Sequence, residues 1–318
     1  MSTPLHVVLG AGGGIGSAVV HELARRGHRT RAVQRGPALD LPPGVTTRAA
    51  DVSTTEGARA ACADATVVYH CAQPPYHRWP QEFPQLTDAV IEGAAAAGAK
   101  LVFADNLYLY GPIDGPVSER SPRRPTSRKG AVRKEMADRL LQAHKSGRLN
   151  VTIGQASDYY GPGGTKSVIG AAVVPAVLDG RTVNWPGRLD VPHTVHYLPD
   201  IAAALVTLGE RDAADGRTFV LPAAPAPTPR QFIRQIAAAA GSRTRMRGTT
   251  KPLMRLVGLS NPAARELLDI WYQFSHPWTV DDTLYRLTFG HAEVTAPDAA
   301  VAATVAWHRT HTARPSGG

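Results

Sequence analysis

A short apolar run, Leu5 to Leu9, feeds a loop with five glycines in seven residues: Gly10, Gly12, Gly13, Gly14 and Gly16. The loop opens a helical pattern with Ile15, Val19 and Leu23 on one face and Gly27 at its close. Strand, glycine turn and helix, in that order, are the context in which a glycine pattern becomes a dinucleotide-binding hypothesis. Gly10 permits the tight turn, Gly13 lets the backbone approach a pyrophosphate, and Gly16 lets the helix lie close on its strand. The helix start then presents free N–H groups and the positive end of its dipole to phosphates.

The pattern that follows alternates strands and helices. Expected strands are 5–10, 29–34, 45–49, 66–71, 100–104 and 149–155, and expected helices 14–26, 55–63, 84–97 and 128–146. Such alternation argues for βαβ units and a doubly wound, Rossmann-type parallel sheet over residues 1–156, with elements of that domain returning around 195–222. Pro112, Pro116, Pro122 and Pro125 make 105–127 a long loop, and loops of that length in a compact domain are usually functional. Beyond residue 156 the pattern is irregular. It reads as a helix at 166–179, a short strand pair within 181–197, a helix at 198–210, a strand at 217–221, and helices at 228–240, 262–274 and 297–309. This is expected to be a smaller, mixed substrate-binding region spanning 157–311. The run from Pro222 to Pro227 serves as a turn, and 312–318 is expected to be a disordered tail.

A chain of 318 residues with 43% hydrophobic and 19% charged residues has the composition of an ordinary soluble protein. No uninterrupted apolar run is long enough to span a bilayer, and with the first strand expected from residue 5 no signal peptide is expected. Cys62 and Cys71 have no partners at zinc-site spacing, so no metal is expected and a reducing cytoplasm is the simplest setting. The net charge of +9 concentrates between Arg120 and Arg148 and again from Arg243 to Arg255. Neither cluster is interleaved with aromatics or matches a nucleic-acid motif. A solvated face, or attraction of an anionic cofactor or substrate, is therefore expected rather than nucleic-acid binding.

Further segments fall in a familiar order: Ala50-Asp51-Val52, Val67 to Ala72, Leu109-Tyr110-Gly111-Pro112, Asp158-Tyr159-Tyr160-Gly161-Pro162, Val195 to Ala202, Val280-Asp281-Asp282 and Thr304 to Trp307. With the glycines at 10, 13 and 16 they resemble the extended short-chain dehydrogenase/reductase superfamily, also called the NAD-dependent epimerase/dehydratase family. The resemblance implies that Asp51 and Val52 border the adenine and that Cys71 and Ala72 end a strand beside the cofactor. It also implies a small-molecule substrate and, as is common in this superfamily, a homodimer. Strand two ends in Gln34-Arg35, with no acid at the position that would bind a ribose 2′-hydroxyl. A carboxylate there would repel a 2′-phosphate, whereas the Arg35 guanidinium can hold one, so NADP(H) is favoured over NAD(H).

The superfamily's hydride chemistry uses a Ser or Thr after strand five and a Tyr-x-x-x-Lys on the next helix. Counting from Tyr110-Gly111 puts the Ser/Thr position on Asn106, and counting along the helix puts the lysine on Lys134 and the tyrosine on Gly130. Glycine carries no proton, so the usual relay cannot operate as written. Asn106 can still donate to a carbonyl, Lys134 can hold the cofactor ribose, and Tyr108 is the best replacement acid. Gln73, Tyr76, Tyr159, Tyr160 and His193 are candidate substrate contacts, with Asp158 placed to orient a tyrosine. His193 and His196 are expected to face one side of a strand. The leading expectation is an NADP(H)-dependent oxidoreductase acting on a small carbonyl or alcohol. The alternatives are a non-redox epimerase, dehydratase or cyclase, and an NADP-sensing regulator of the nitrogen-metabolite-repression type.

Overall fold

All five residues of β1 (Leu5–Leu9) are buried, which requires cover on both faces and places this strand inside a parallel sheet. The structure is a computed structural model that describes residues 3–36, 41–290 and 292–312. After β1 come α1 (Gly14–Arg25), β2 (Arg29–Gln34), β3 (Thr46–Ala49), α2 (Thr55–Cys62), β4 (Val67–His70), α3 (Trp79–Ala96), β5 (Lys100–Asn106), α4 (Arg128–Lys145) and β6 (Val151–Ala156). The chain then leaves the sheet through β7 (Asp158–Tyr160), α5 (Val174–Leu178), β8 (Val183–Pro186) and β9 (Val195–Tyr197). It returns along α6 (Leu198–Glu210) to β10 (Thr218–Val220).

The seven strands lie in the order β10-β6-β5-β4-β1-β2-β3, and every pairing is parallel. From β1 the chain builds outward to β2 and β3 on one side and to β4, β5 and β6 on the other. The order therefore reverses between β1 and β4, the switch point at which open sheets bind ligands. One apolar layer packs α2, α3 and α4 against the sheet around Phe83, Phe103, Met136 and Leu140. The opposite layer packs α1 and α6 around Val19, Leu23, Leu205 and Leu208. Each of these large side chains contributes about 1.5–3 kcal/mol by leaving water.

A third cluster, around Trp185, Phe232 and Phe274, holds together α7 (Pro229–Ala240), β11 (Met246–Thr249), α9 (Pro262–Asp269), α10 (Tyr272–Ser275) and α12 (Pro297–Thr312). Of the other elements, α8 (Lys251–Val257) packs through Met254 on Ala264 and Trp271, and α11 (Thr283–Phe289) joins the α1–α6 layer through Tyr285. Here the structure departs from the pattern reading. The expected strand pair within 181–197 does not form, because β8 pairs with β11 and β9 pairs with β7. The helix expected at 166–179 begins as a π-turn at Ile169–Val173, where Pro175 has no N–H to give the preceding turn. The helix expected at 262–274 is two pieces, α9 and α10, and α8 and α11 were not foreseen. In the first half, α3 starts at Trp79 rather than 84, since Pro80 fits a first turn. Residues 313–318 of the expected disordered tail lie outside the described residues.

Candidate active site

The carboxyl ends of β1, β4 and β5 open into a cleft of about 1120 Å³. Its first wall is backbone. Gly10 has φ +80°, and a Cβ there would lie 2.6 Å from the Ala72 backbone, so only glycine allows β1 to turn against the end of β4. A Cβ on Gly16 would lie 2.3 Å from the Gly10 carbonyl. Gly16 is thus a packing residue beneath the turn, while Gly12, Gly13, Gly14 and Ile15 line the cleft. The α1 start has Gly13 as its N-cap, no side-chain cap and no acidic residue in its first turn. Its unclaimed N–H groups and dipole suit a pyrophosphate.

Arg35, Gly36, Ala50 and Val52 continue this wall, and Cys71 and Ala72 close it. Arg35 is exposed. Asp51 does not line the cleft: its carboxylate accepts from Ser53 N at 3.1 Å and Ser53 Oγ at 2.7 Å, closing its own turn. Those bonds, with Arg35 contributing less, hold the carboxyl below its usual range. Burial pushes the Cys71 thiol up to about 12, in keeping with a small apolar residue rather than a nucleophile. The turn, the bare helix start and the adjoining basic side chain together fit a dinucleotide.

The second wall is made of side chains. Asn106 ends β5 and spends its carbonyl oxygen on Tyr108 N at 3.0 Å, so the amide NH2 is what it can offer a ligand. Tyr76 and Tyr108 meet hydroxyl to hydroxyl at 3.4 Å, and Gln73 lies beside them. Burial raises both phenols, Tyr76 to about 12 and Tyr108 well above its ordinary value.

On α4 the sequence count is off by one residue. Lys134 points away from the cleft and pairs with Asp138 at 2.7 Å. Arg133 and Lys129 point inward, each 4% exposed, at the four-residue spacing expected of Lys134 and Gly130. Gly130 itself has no room for a side chain: a Cβ would lie 2.5 Å from the Tyr108 carbonyl and 2.8 Å from Pro125 Cβ. The Lys129 ammonium stands 3.9 Å over the Tyr76 ring and pairs with Glu266 of α9. Burial pulls it down to about 8, against the opposing pull of Asp269.

Arg133 donates from Nη1 to Asp105 at 3.2 Å and from Nη2 to Gln73 at 3.1 Å. Its guanidinium lies 4.2 Å over Trp79 and 4.6 Å over Phe83. Among the described residues nothing accepts from its buried Nε–H. Behind it, Asp105 accepts from Gln155 at 3.0 Å and Gln155 accepts from Tyr110 at 2.7 Å. Tyr110 is therefore structural. Burial raises the Asp105 carboxyl, with Arg133 opposing. His70, packed on Phe83 and Phe103, finds no partner for either ring nitrogen among the described residues. Burial, with Arg133 nearby, lowers it to about 3.

Of the remaining sequence candidates, Tyr159 lines the cleft, while Tyr160 packs into the third core against Tyr197 and Phe232. Asp158 lines the cleft too, but orients no tyrosine. Its carboxylate contacts His193 Nε2 at 2.8 Å, which places His193 one layer behind the wall. His193 and His196 do not share a face, being three residues apart: His196 accepts from Ser157 N at 3.1 Å and reaches the Leu221 carbonyl at 3.0 Å. Arg243, Arg245 and Arg247 are exposed around β11 and do not reach the cleft. Sequence reasoning missed Arg133, Lys129, Asp105, Trp79, Glu266 and Gln273. Among the described residues no group of three or more His, Cys, Asp or Glu could hold a metal ion, and no helix is long and apolar enough to cross a membrane.

Residues 6–221 match the family described as NAD dependent epimerase/dehydratase. No curated protein sequence matches the chain. Among solved structures, MoeE5 in complex with UDP-glucose and NAD has a TM-score of 0.77 at 22% identity, with 98% of this chain and 100% of that one covered. The UDP-glucose 4-epimerase of Thermotoga maritima, with UDP-glucose, has a TM-score of 0.80 at 17% identity, covering 97% and 99%. DesIV, a dTDP-glucose 4,6-dehydratase of Streptomyces venezuelae with NAD bound, has a TM-score of 0.77 at 18% identity, covering 96% and 97%. At these identities the likeness is one of fold.

Proposed function

The chain belongs to the NAD dependent epimerase/dehydratase family, and from that premise we propose that it is an NADP(H)-dependent oxidoreductase that reduces a small carbonyl substrate. The observation that carries this reading is the phenol pair, Tyr76 and Tyr108, beside Asn106 at the end of β5, on the same cleft as the glycine turn. When bound, a reduced nicotinamide supplies a hydride. The backbone from Gly10 to Ile15 would hold the pyrophosphate, Arg35 the 2′-phosphate, and Arg133, in place of Lys134, would face the ribose. Residues 1–156 then serve mainly the cofactor and 157–311 the substrate.

Burial keeps the phenols protonated. A phenol raised by burial, Tyr76 to about 12 and Tyr108 well above its ordinary value, stays protonated at neutral pH, yet it is still more acidic than an alcohol. It gives its proton readily to a developing alkoxide and takes one from an alcohol only reluctantly. Tyr108 is therefore the proton donor in carbonyl reduction, and the Asn106 amide polarises the oxygen. The reading carries a small anionic substrate, a reducing cytoplasmic setting for Cys62 and Cys71, and a homodimer.

The test combines cofactor titration with a panel of aldehydes, ketones and enones. NADPH should bind more tightly than NADH and be consumed with at least one carbonyl. Tighter NADH binding overturns the cofactor preference, and no NADPH consumption with any carbonyl overturns net redox. A second reading, a non-redox epimerase or dehydratase, is favoured by the family itself. It predicts a changed product by mass spectrometry with no net loss of reduced cofactor.

A further inference from the structure

His193 is 2% exposed, and both of its ring nitrogens face acceptors. Nδ1 lies 3.1 Å from the backbone carbonyl oxygen of Gln273, and Nε2 lies 2.8 Å from Oδ2 of Asp158. A carbonyl oxygen only accepts, as does an ionised carboxylate, whereas a neutral imidazole has a single N–H. Both contacts can be hydrogen bonds only if the couple carries one more proton, as imidazolium facing carboxylate or as imidazole facing carboxylic acid. Without that proton, two acceptors would face each other at hydrogen-bond distance in a buried site, an arrangement that is costly there.

The ring cannot turn away to relieve this. Phe274 stacks on it at 5.3 Å with an interplanar angle of 11°, and Trp185 meets it edge-on at 5.5 Å. His193 N is also fixed, donating to the Pro227 carbonyl at 2.9 Å. Asp158 is held by the β7–β9 pairing, opposite Val195. It lines the same cleft as Tyr76, Tyr108 and Tyr159.

We propose that Asp158 and His193 together hold one exchangeable proton at the cleft wall, and that this couple reloads the phenol pair in place of the tyrosine–lysine relay that α4 lacks. The couple's existence rests on its own hydrogen bonds, and its use rests on the carbonyl-reduction reading. In that use a reduced nicotinamide would supply the hydride of the new C–H bond, and the C=O π pair would become an alkoxide lone pair. The oxygen takes the Tyr108 proton, breaking the phenol O–H. The Asp158–His193 couple returns a proton to the phenolate by way of water in the cleft that Asp158, Tyr76 and Tyr108 all line, and is itself reloaded from water. One hydride and one proton convert the carbonyl to the alcohol.

Spectra of the full chain carrying ring-15N histidine at pH 7, with His193→Gln to assign the signal, test the couple directly. A doubly protonated His193 ring, or a neutral ring beside an Asp158 carboxyl that 13C shifts show to be protonated, supports it. A neutral ring facing an ionised Asp158 overturns it. Asp158→Asn supplies a donor to Nε2, so its ring should be neutral with the proton on Nδ1; a ring still doubly protonated there also overturns the proposal. In turnover with NADPH, Asp158→Asn should lower kcat by about 100-fold and shift its pH profile, with KM for NADPH unchanged. Unchanged kcat and profile overturn the reservoir role. If wild type consumes no NADPH with any carbonyl, the reductase reading and the proton's use both fall, while the ring signals still decide whether the couple exists.

Discussion

The two ends of the cleft are built differently. The glycine end is backbone from one continuous stretch, Gly10 to Ile15, with the ends of neighbouring strands closing it. The other end is side chains from segments far apart in the chain, among them Tyr76, Asn106, Tyr108, Arg133, Asp158, Glu266 and Gln273. A site made by local spacing is insensitive to what the rest of the chain does. A site made by convergence depends on helix phase and strand register at every contributor. The glycine end is therefore set by local sequence, and the other end by the fold as a whole.

On α4 adjacent residues face opposite environments, Arg133 the buried Asp105 and Lys134 the exposed Asp138. Arg133→Met removes the cation from a buried carboxylate, since the Asp105 side chain is wholly inaccessible. A loss of about 3 kcal/mol is expected in urea unfolding at pH 7. The loss should shrink as pH falls, because protonating Asp105 removes the unpaired charge. Lys134→Met, by contrast, breaks only an exposed pair with Asp138 and should cost about 0.5 kcal/mol or less. Equal effects at the two positions would mean that the helix is rotated from the phase described.

That phase was legible in the sequence. Lys129, Arg133, Met136, Ala137 and Leu140 recur at the spacing of one helix face, and all are buried. Counting from a family signature placed Lys134 on the cleft, whereas the apolar periodicity of the same helix would have placed Arg133 there. The parallel sheet and its glycine turn were readable because strand, turn and helix patterns are local. The β8–β11 and β7–β9 pairings were not, since β8 and β11 are joined across some sixty intervening residues and nothing in either short segment names its partner. Glu266 and Gln273 reach the cleft for the same non-local reason. The Asp158–His193 contact likewise needed the fold before it could be seen.

A smaller effect than the loss of Arg133 is expected at the phenol pair. Tyr108→Phe keeps the ring that packs near Trp79 and removes only the hydroxyl. With a carbonyl substrate, kcat should fall by about 100-fold, or about 2.7 kcal/mol of activation free energy. NADPH affinity should hold, because the glycine end does not sense the change. A parallel fall in NADPH affinity would show that the two ends are coupled.

Comparable in size is an acid response from the floor between the two ends. His70 is lowered from 6.5 to about 3 by burial, so below pH 6.5 the unfolded chain binds a proton that the folded chain refuses. Stability should therefore fall as pH drops from about 6.5 toward 3, by up to about 1.4 kcal/mol per unit for this group. His6 and His196, each lowered to about 4, add to the slope. His70→Leu should flatten the dependence by one proton and raise stability at pH 5 by about 1–3 kcal/mol. An unchanged slope by urea unfolding across that range would mean that His70 finds a partner in solution.

The smallest effect is expected at Arg35, because it acts from the exposed rim. Its guanidinium can pair with a 2′-phosphate, but water and salt screen the attraction, so its contribution to discrimination is modest. Arg35→Asp reverses the charge and should swing the NADPH/NADH affinity ratio by about tenfold, or about 1.4 kcal/mol, toward NADH. The swing should be larger at low salt than at physiological salt. On the proposed reading Gly10 to Ile15 hold the pyrophosphate that both cofactors share, so the affinity lost should be confined to NADPH. A substitution that weakened NADH equally would place Arg35 in support of the turn itself, and cofactor choice would then have to be made deeper in the cleft.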